Sequence, residues 1–370
     1  MDLEISKNFL TFNKKSATYR NMKHIPYPSI EQFRNAIHKV GCKARHAGVD
    51  VNGDPVYDHT KVLPVLTYEG TIKLHGTNAA IGRNKGDPRT ADTYWFQSRE
   101  NSITLEKDNA GFVRHFHDKL NKVADLFDVR REWNTTRDLG REIVIFGEWC
   151  GGNIQPNVGI AKLSKRFVVF GVLADGKWLG KDVVSTVKNE SIGIYNIYDY
   201  PCETIEIDFN KPEIAQNKLS ELTIKVEESC PVAKAMGGET GIGEGWVWKS
   251  VTPGWEHPEF YFKTKGELHS KSKVTTIKSI DLEKHDKASQ IAVKVVPEWR
   301  LAQMLDKACD LMNGGKIDRS KLGSFIKLVS DDVIKEETLT IKDFGLEFKD
   351  INGHVTKISR NYFFEREKML

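Results

Sequence analysis

Between residues 62 and 265 the chain alternates short runs of β-branched and aromatic residues with glycine, proline and polar turns. Runs of this length and composition, bounded by turn residues, are typical of β-strands. One helical pattern, at residues 109–127, interrupts them. The spacing therefore predicts an α+β domain built on antiparallel sheets. The runs are "VLPVLTY", "AAIGR", "TYWFQS", "EIVIFGEW", "FVVFGVLA", "EGWVWKSV" and "EFYFKTK".

Helical patterns flank the strand-rich region. "YPSIEQFRNAIHKVG" predicts a helix that begins with a capping box of Ser29 and Gln32 and is closed by Gly41. Residues 42–60 are expected to form a polar loop. After about residue 275 three further helical patterns follow, one of them "PEWRLAQMLDKACDLMNGG", with Pro297 at its first position and Gly314 beyond its end. We therefore predict a larger domain at 1–275, with an N-terminal helical and loop extension, and a small helical domain at 276–370.

Composition limits the class of protein. A hydrophobic content of 39% with 10% aromatic residues indicates a globular chain. The five cysteines form no CxxC pair, so neither a disulfide framework nor a zinc site is expected. No signal peptide and no membrane-length apolar run is visible, which predicts a cytoplasmic protein without a membrane partner. The net charge of +4 argues against binding nucleic acid by bulk charge alone, although a local basic surface stays possible.

One lysine stands out within "TIKLHGTNAAI", residues 71–81, where Lys73 ends a strand-like stretch and Gly76 follows closely. Taken alone, it is best read as a solvated strand lysine, because most lysines are exposed. The other reading is a nucleophile held against a phosphate, which requires an amine that has lost its proton.

The surrounding hexamer decides between these readings. "KLHGTN" at 73–78 resembles motif I of the covalent nucleotidyltransferases, in the form used by ATP-dependent RNA ligases of the phage RNA ligase 2 family. Five further motifs of that family follow in its order. They are "FQSREN" at 96–101 (motif Ia), "IFGEWCG" at 145–151 (III), "FVVFGV" at 167–172 (IIIa), "EGWVWK" at 244–249 (IV) and "FYFKTK" at 260–265 (V). Six such matches in register are a specific signal, whereas one would be weak.

The resemblance implies an ATP-dependent RNA ligase. Lys73 would attack the α-phosphorus of ATP and form lysyl-AMP, the AMP would pass to an RNA 5′-phosphate, and a 3′-hydroxyl would then displace AMP. The partner is RNA with 3′-hydroxyl and 5′-phosphate ends, at nicks or bridged breaks, and the protein is expected to act as a monomer. If the chain is phage-encoded, it would work in the host cytoplasm.

The charged residues of the motifs take expected roles. Lys263 and Lys265 alternate along a strand and so point to one face. The resemblance implies that both contact the α-phosphate, help to keep Lys73 uncharged, and are joined by Lys249 near the phosphates. Glu148 and Glu244 offer the hard oxygen ligands that Mg²⁺ or Mn²⁺ prefers. Glu148 is also placed near the ribose hydroxyls.

The remaining motif residues concern the base and the RNA. Arg99 is expected to bind the RNA 5′-phosphate, since a guanidinium is planar and always charged. Phe170 would stack on adenine, with Phe167 as the alternative. The nucleotide contacts also include Ile72, and the resemblance gives His75 and Asn78 a part in the later steps. Gly76 would let the backbone approach the nucleotide closely.

Two other functions fit part of the pattern. A DNA ligase or capping-type transferase would use the same lysine, but it more often has an aspartate where this chain has His75, and it usually carries a β-barrel in place of C-terminal helices. A non-catalytic RNA-binding module would keep the fold without the chemistry. Motif IIIa also departs from the family at Gly171, where aspartate is common.

Overall fold

The computed structural model describes residues 23–50, 53–85, 93–127, 141–239, 241–269, 281–311 and 315–368. The chain divides into two compact units, one of residues 1–41 and 64–278 and the other of residues 42–63 and 279–370. Residues 42–63 therefore group with the C-terminal helices and not with the larger unit in which the sequence analysis placed them. Contacts within the second unit explain this grouping, because Asp58 pairs with Lys368 at 3.0 Å and His59 stacks on Phe364.

The first unit contains a five-stranded sheet. Its order is β1 (Glu31–Gln32), β14 (Phe262–Lys265), β13 (Gly245–Ser250), β4 (Val65–Lys73) and β12 (Cys202–Asp208). All neighbours are antiparallel except β1 and β14. Helix α5 (Pro212–Glu228) contacts β12, β13 and β14 and covers one face through a buried apolar stripe.

A second sheet of seven strands completes this unit. Its order is β10 (Lys177–Trp178), β9 (Arg166–Ala174), β8 (Ile143–Cys150), β5 (Thr77–Arg83), β6 (Tyr94–Ser98) and β7 (Ser102–Ile103), and β11 (Ile194–Asn196) pairs with β9. Successive side chains point to opposite faces of a strand. On β8, Ile143 and Ile145 accordingly belong to one hydrophobic cluster and Val144 and Phe146 to another.

The two faces of the seven-stranded sheet have different covers. The larger cluster packs under the short helices α2 (Phe112–Phe116) and α3 (Leu120–Ala124). The smaller cluster is covered by Ile25 and Tyr27, which belong to the N-terminal segment that precedes β1. Two further short helices, α4 (Lys181–Val184) and α6 (Pro231–Ala235), lie in the connections.

The predicted α+β fold is confirmed, and its sheets are antiparallel except for the parallel pairs β1–β14 and β11–β9. Several details are corrected. Helix α1 spans Phe33–Arg45, so the capping box does not form and Gly41 lies inside the helix. The capping box fails because residues 31 and 32 pair with β14. The pattern at 109–127 is two short helices with 3₁₀ turns and not one helix.

The second unit is a helical bundle with a small hairpin. Its helices are α7 (Leu282–Val295), α8 (Glu298–Cys309), α9 (Leu322–Asp343) and α10 (Phe348–Lys368), and its strands are β2 (His46–Val49) and β3 (Pro55–Tyr57). Four helices thus stand where three patterns were predicted. Pro297 is the N-cap residue of α8 and not its first helical residue, because its backbone is extended, with ψ of 161°. Gly314 lies outside the described residues.

Buried contacts hold this bundle together. Phe325, Val333 and Phe363 are fully buried in its core. The guanidinium of Arg300 is almost fully buried between Asp332 at 2.9 Å and Glu337 at 3.0 Å, which compensates its charge. Among the described helices, none has the length and apolar character that crossing a bilayer requires.

Candidate active site

A cavity of about 400 Å³ lies in the first unit and is lined from both of its sheets. The five-stranded sheet contributes residues of β4, β13 and β14, and the seven-stranded sheet contributes residues of β5, β8 and β9. One end of the cavity is rich in charged side chains and the other in aromatic ones. We call these the charged end (Lys73, His75, Glu244, Lys263 and Lys265) and the base end (Tyr27, Phe170 and Lys249).

The register of three strands assembles the charged end. Lys73, the last residue of β4, lies opposite Gly245 of β13, which in turn lies opposite Lys265 of β14. Glu244 immediately precedes Gly245, so its carboxylate meets both amines. Its oxygens are 2.6 Å from Lys73 Nζ and 2.5 Å from Lys265 Nζ. His75 Nδ1 is 3.2 Å from the oxygen that faces Lys73.

Glu244 is a charged carboxylate in spite of its burial. Its side chain is only 1% exposed, and burial alone would raise its pKa. The hydrogen bond from His75 and the charges of Lys73 and Lys265 outweigh that effect and hold the pKa of Glu244 well below its ordinary value. The carboxylate therefore serves as the anionic centre of a cluster of cations.

Positive charge exceeds what this one carboxylate balances. Lys263 lies two residues before Lys265 on β14, where both have the same burial and line the cavity. Burial lowers the pKa of Lys263, and the charges of Lys265, Lys73 and Arg99 lower it further. Crowded cations of this kind favour a bound anion, and a polyphosphate supplies several negative oxygens at once.

Glu148 forms a second acidic position beside the charged end. It lies on β8 opposite Asn78 of β5, and the backbone N–H of Gly76 donates to its Oε1 at 2.9 Å. Burial raises the pKa of Glu148 to about 7, although the charge of Lys73 and the Gly76 N–H act in the opposite direction. The side-chain oxygen of Asn78 is buried and accepts no hydrogen bond among the described residues.

Gly76 is required by close packing. A Cβ at this position would lie 2.4 Å from the carbonyl oxygen of Trp149 and 2.7 Å from the Cβ of Cys150. Contacts this short do not occur, so a side chain would push motif I away from β8 and its N–H away from Glu148. The glycine thus brings the backbone of motif I close to β8, and its expected close approach to the nucleotide stays a prediction.

A β-bulge places the aromatic ring of the base end. The register between β8 and β9 shifts where Phe146 pairs with Gly171 and Gly147 with Val169, which leaves Phe170 as the extra residue. Bulges redirect side chains in this way. Phe170 lines the cavity, whereas Phe167 is fully buried in the core on the other face. Of the two alternatives for the stacking ring, the geometry favours Phe170.

Lys249 lies at the base end. Its amine donates to the carbonyl oxygen of Phe170 at 2.6 Å and to the hydroxyl of Tyr198 at 3.2 Å. Burial lowers its pKa to about 8. It is four residues beyond Gly245 on β13, which is roughly 13 Å along a strand. The structure thus sets Lys249 beside the expected stacking ring, and its contact with phosphates stays a prediction.

Comparison with a family profile assigns the chain to a family. A family profile described as RNA ligase matches residues 66–265, which is more than half of the chain. The chain belongs to the RNA ligase family. The matched range begins within β4 and ends at the last residue of β14, so it contains the strands that line the cavity.

Solved structures of an RNA ligase from Naegleria gruberi are also similar to this one. The structure with PPi has 15% identity and a TM-score of 0.40, and covers 66% of this chain and 57% of that chain. A mutant with ATP and Mn gives the same values. A mutant in its apo form has 16% identity and a TM-score of 0.40 over 71% and 58% of the two chains. The chain thus spans little more than half the length of these ligases. No curated protein matches it in sequence.

All the residues predicted for this RNA ligase site line the same cavity. They are Ile72, Lys73, His75, Asn78, Arg99, Glu148, Phe170, Glu244, Lys249, Lys263 and Lys265. The structure brings them together from six separate motifs, and their individual roles stay predictions. Arg99 is the most exposed of the charged ones, with 57% of its side chain accessible and Glu100 at 3.3 Å.

Sequence reasoning missed the N-terminal contribution to the cavity. Tyr27, Pro28 and Ile30 line it, although this stretch was read as the start of a helix. A proline after an aromatic residue, just before a predicted helix, does favour extended backbone and was the available signal. All five cysteines are free thiols.

Proposed function

We propose that the protein is an ATP-dependent RNA ligase that joins a 3′-hydroxyl to a 5′-phosphate through a lysyl-AMP intermediate. The observation that carries the proposal is the row formed by Lys73, Gly245 and Lys265, which gathers a lysine nucleophile and its charge partners around Glu244. The Naegleria gruberi ligase has been solved with ATP and Mn and with AMP and Mn. We extend nucleotide and metal binding to this chain as part of the proposal.

In the first step the amine of Lys73 attacks the α-phosphorus of ATP. An N–P bond forms, the bond from the α-phosphorus to the bridging oxygen breaks, and pyrophosphate leaves with its electron pair. The amine must lose a proton, so its contact with Glu244 has to be exchanged before attack. Lys263 and Lys265 stabilise the negative charge that develops on the phosphoryl oxygens.

The next two steps use the same phosphate chemistry. An oxygen of the RNA 5′-phosphate attacks the phosphorus of lysyl-AMP, and the Lys73 amine leaves and regains a proton. A 3′-hydroxyl then attacks the RNA 5′-phosphorus, loses its proton, and displaces AMP. Arg99 is exposed at the cavity rim and carries a guanidinium suited to hold the 5′-phosphate during these steps.

The acidic residues fit a divalent metal brought in with the nucleotide. In proteins Mg²⁺ commonly uses one or two carboxylates together with substrate phosphate oxygens, and not an all-protein cage. In the described part of the chain no group of three or more His, Cys, Asp or Glu forms such a cage. Glu148 and Glu244 would hold the metal. The side-chain oxygen of Asn78, which accepts no hydrogen bond from the residues that the structure describes, is a further ligand of the right type. When bound, the metal would neutralise charge on the phosphates.

Transfer of label from ATP tests the covalent step. The protein is incubated with ATP radiolabelled at the α-phosphate, denatured and separated on a gel. We expect label on the wild-type chain and none on Lys73→Ala. Lys85→Ala is the matched control, because Lys85 lies just beyond β5, pairs with Asp175 and does not line the cavity. A wild-type protein that takes no label contradicts the proposed chemistry.

The choice of substrate separates the proposal from its relatives. Labelled protein is offered nicked RNA duplexes, nicked DNA duplexes and free RNA strands, with ATP or GTP as the nucleotide. We expect ATP to be used and nicked or bridged RNA to be sealed. Sealing of DNA alone would favour a DNA ligase, and label from GTP would favour a capping-type transferase. Label retained without joining of any strand would leave only nucleotide transfer.

A further inference from the structure

The N-terminal segment 23–32, which we call the strap, is fastened at several places along the first unit. Lys23 pairs with Glu142 at 2.8 Å, and the backbone of Ile25 exchanges two hydrogen bonds, of 3.1 and 2.7 Å, with the side chain of Gln97. His24 lies 3.3 Å from the carbonyl oxygen of Ser98. At its other end the strap forms β1, where Gln32 pairs with Lys263.

These fastenings connect separate parts of the cavity. Gln97 and Ser98 directly precede Arg99, and Lys263 belongs to the charged end. Gln97 is fully buried, so its two bonds to Ile25 form in a setting where they are not exchanged for water. The residues between these anchors, among them Tyr27, are thereby held over the base end.

Tyr27 is packed edge-on against three rings. Its ring centroid lies 5.0 Å from that of Phe170, 5.3 Å from that of Phe146 and 5.2 Å from that of Trp178. Edge-to-face pairs at such distances are attractive and orient both rings. Phe170 sits on the β-bulge, where one residue is left without a pairing partner, and so its ring gains a fixed direction from Tyr27.

Gly171 leaves the space that Tyr27 occupies. A Cβ at Gly171 would lie 3.3 Å from Cε2 of Tyr27 and 3.6 Å from Cζ3 of Trp178. A methyl group there requires the tyrosine ring to move by a few tenths of an ångström, and a longer side chain requires more. The glycine and the tyrosine are therefore complementary, although 144 residues separate them in the sequence.

We propose that Tyr27 is a positioning residue for the nucleobase, and that the strap with Gly171 forms the wall that fixes Phe170 for stacking. The inference deepens the proposed function and rests on its nucleotide site. Tyr27 acts through Phe170, so its contribution belongs to the base end and not to the phosphates. Loss of Tyr27 should weaken a ligand that carries a base and spare one that does not.

Equilibrium binding of AMP and of inorganic pyrophosphate tests this separation. Both are measured on Lys73→Ala protein, which cannot take covalent label, so the result does not depend on catalysis. For Tyr27→Leu, which keeps apolar volume and removes the ring, we expect AMP to bind about five- to tenfold more weakly and pyrophosphate to bind unchanged. Tyr27→Phe keeps the ring and should bind both ligands as the parent does.

Three further variants separate a specific effect of the Tyr27 ring from a general loss of packing. Gly171→Asp displaces the ring without altering Tyr27 and should also weaken AMP alone, and Tyr27→Leu with Gly171→Asp should lose little more than either single change. Val144→Ala removes volume from the same hydrophobic cluster and does not line the cavity. It should lower the melting temperature and leave AMP binding unchanged.

Each outcome of these binding measurements supports or overturns the role of Tyr27. The inference is overturned if Tyr27→Leu and Gly171→Asp bind AMP normally, if AMP and pyrophosphate weaken together, or if Val144→Ala weakens AMP as strongly. Should Tyr27→Leu fail to fold, Gly171→Asp and the milder Gly171→Ala carry the same test. Normal labelling of wild-type protein with unchanged AMP binding in the variants would refute only this inference. Absence of label would refute the proposed chemistry. AMP binding by the variants would still test whether Tyr27 and Gly171 position Phe170.

Discussion

The two ends of the cavity are built in different ways. At the charged end, Lys73, Glu244 and Lys265 come from neighbouring strands and meet because of strand register. At the base end, Phe170 is placed by a bulge, and Tyr27 and Lys249 reach it from a strap and from another sheet. The charged groups that we propose to act on phosphates are thus positioned by regular strand pairing, whereas the aromatic pocket depends on packing between distant segments.

This difference predicts separable effects of mutation. Changes at the charged end should alter the chemical step, because they remove interactions with charge that develops at the phosphorus. Changes at the base end should alter nucleotide affinity, since the base does not react. Variants that mix the two effects would argue against the division.

Among variants that keep the Lys73 nucleophile, the largest effect is expected from Lys265→Ala. The change removes a cation from the phosphates and leaves Glu244 with one fewer partner in a buried site. Lysine adenylylation should fall about 100-fold, as the loss of one transition-state donor does elsewhere. Rates of label transfer from ATP measure it. Lys263→Ala is the matched variant on the same strand, has no ion pair of 4.0 Å or less to Glu244, and should lose less. Equal losses would mean that contact with Glu244 is unimportant.

Arg99→Ala should affect sealing and not adenylylation. Arg99 lies at the rim and is mostly exposed, so the lysyl-AMP should form at the wild-type rate. Transfer of AMP to the RNA end should fall by about tenfold or more, because a charge-assisted bidentate contact is lost. Arg99→Lys restores the charge without the planar fork and should recover part of the activity. Unimpaired joining of nicked RNA by Arg99→Ala would remove this residue from the site.

Lys249→Met tests whether a change at the base end alters nucleotide affinity and leaves the chemical step unchanged. The amine of Lys249 bonds to the Phe170 carbonyl, so its loss should loosen that ring and raise the KM for ATP about tenfold with little change in kcat. The pattern should be the reverse of that of Lys265→Ala. A fall in kcat at saturating ATP would instead place Lys249 among the phosphate contacts that the motif resemblance implies.

The smallest effect concerns stability at Glu148. Burial raises the pKa of this carboxyl from 4.5 to about 7, so the folded chain keeps a proton there that the unfolded chain releases. The resulting stabilisation is complete below about pH 4.5 and is lost as the pH rises through 7. Glu148→Gln stays neutral and should exceed the wild type by about 2 kcal/mol in free energy of unfolding at about pH 8.

Unfolding by urea at several pH values checks this difference. The two proteins should converge in stability as the pH falls below about 4.5, where the wild-type carboxyl becomes protonated in the unfolded state as well as in the folded state. Gln can still accept the Gly76 N–H through its amide oxygen, so that hydrogen bond is kept in the comparison. A pH-independent difference would mean that burial does not control the titration of Glu148.

Parts of the fold could be predicted from the sequence, for physical reasons. Strands with both faces covered are rich in apolar residues, and β8 and β9 were predicted almost to their ends. Strand β12 was missed because it is an edge strand in which Glu203 and Glu206 are exposed, so it reads as polar. Helix α5 carries Leu219, Leu222 and Val226 at helical spacing, a signal that the strand-rich surroundings obscured.

The candidate site shows the same division. Each motif carries its own chemistry within a few residues, and the alternation of Lys263 and Lys265 places both on one face of any strand. The frame of motif IIIa was not legible, because the choice between Phe167 and Phe170 depends on a bulge that forms only against β8. The strap was not legible either, since its partner Gln97 lies more than 70 residues away.

The amino-acid sequence alone is enough to predict the strand-rich class of the first unit, the order of the motifs and the residue types of the candidate site. These follow from local composition and from the periodicity of strands. Only the tertiary structure shows that Lys73 meets Glu244 and Gly245, about 170 positions downstream, that residues 42–63 join the helical unit, and that Tyr27 lines the cavity. Such contacts depend on which surfaces pack together, and no local pattern encodes the partner of a packed surface.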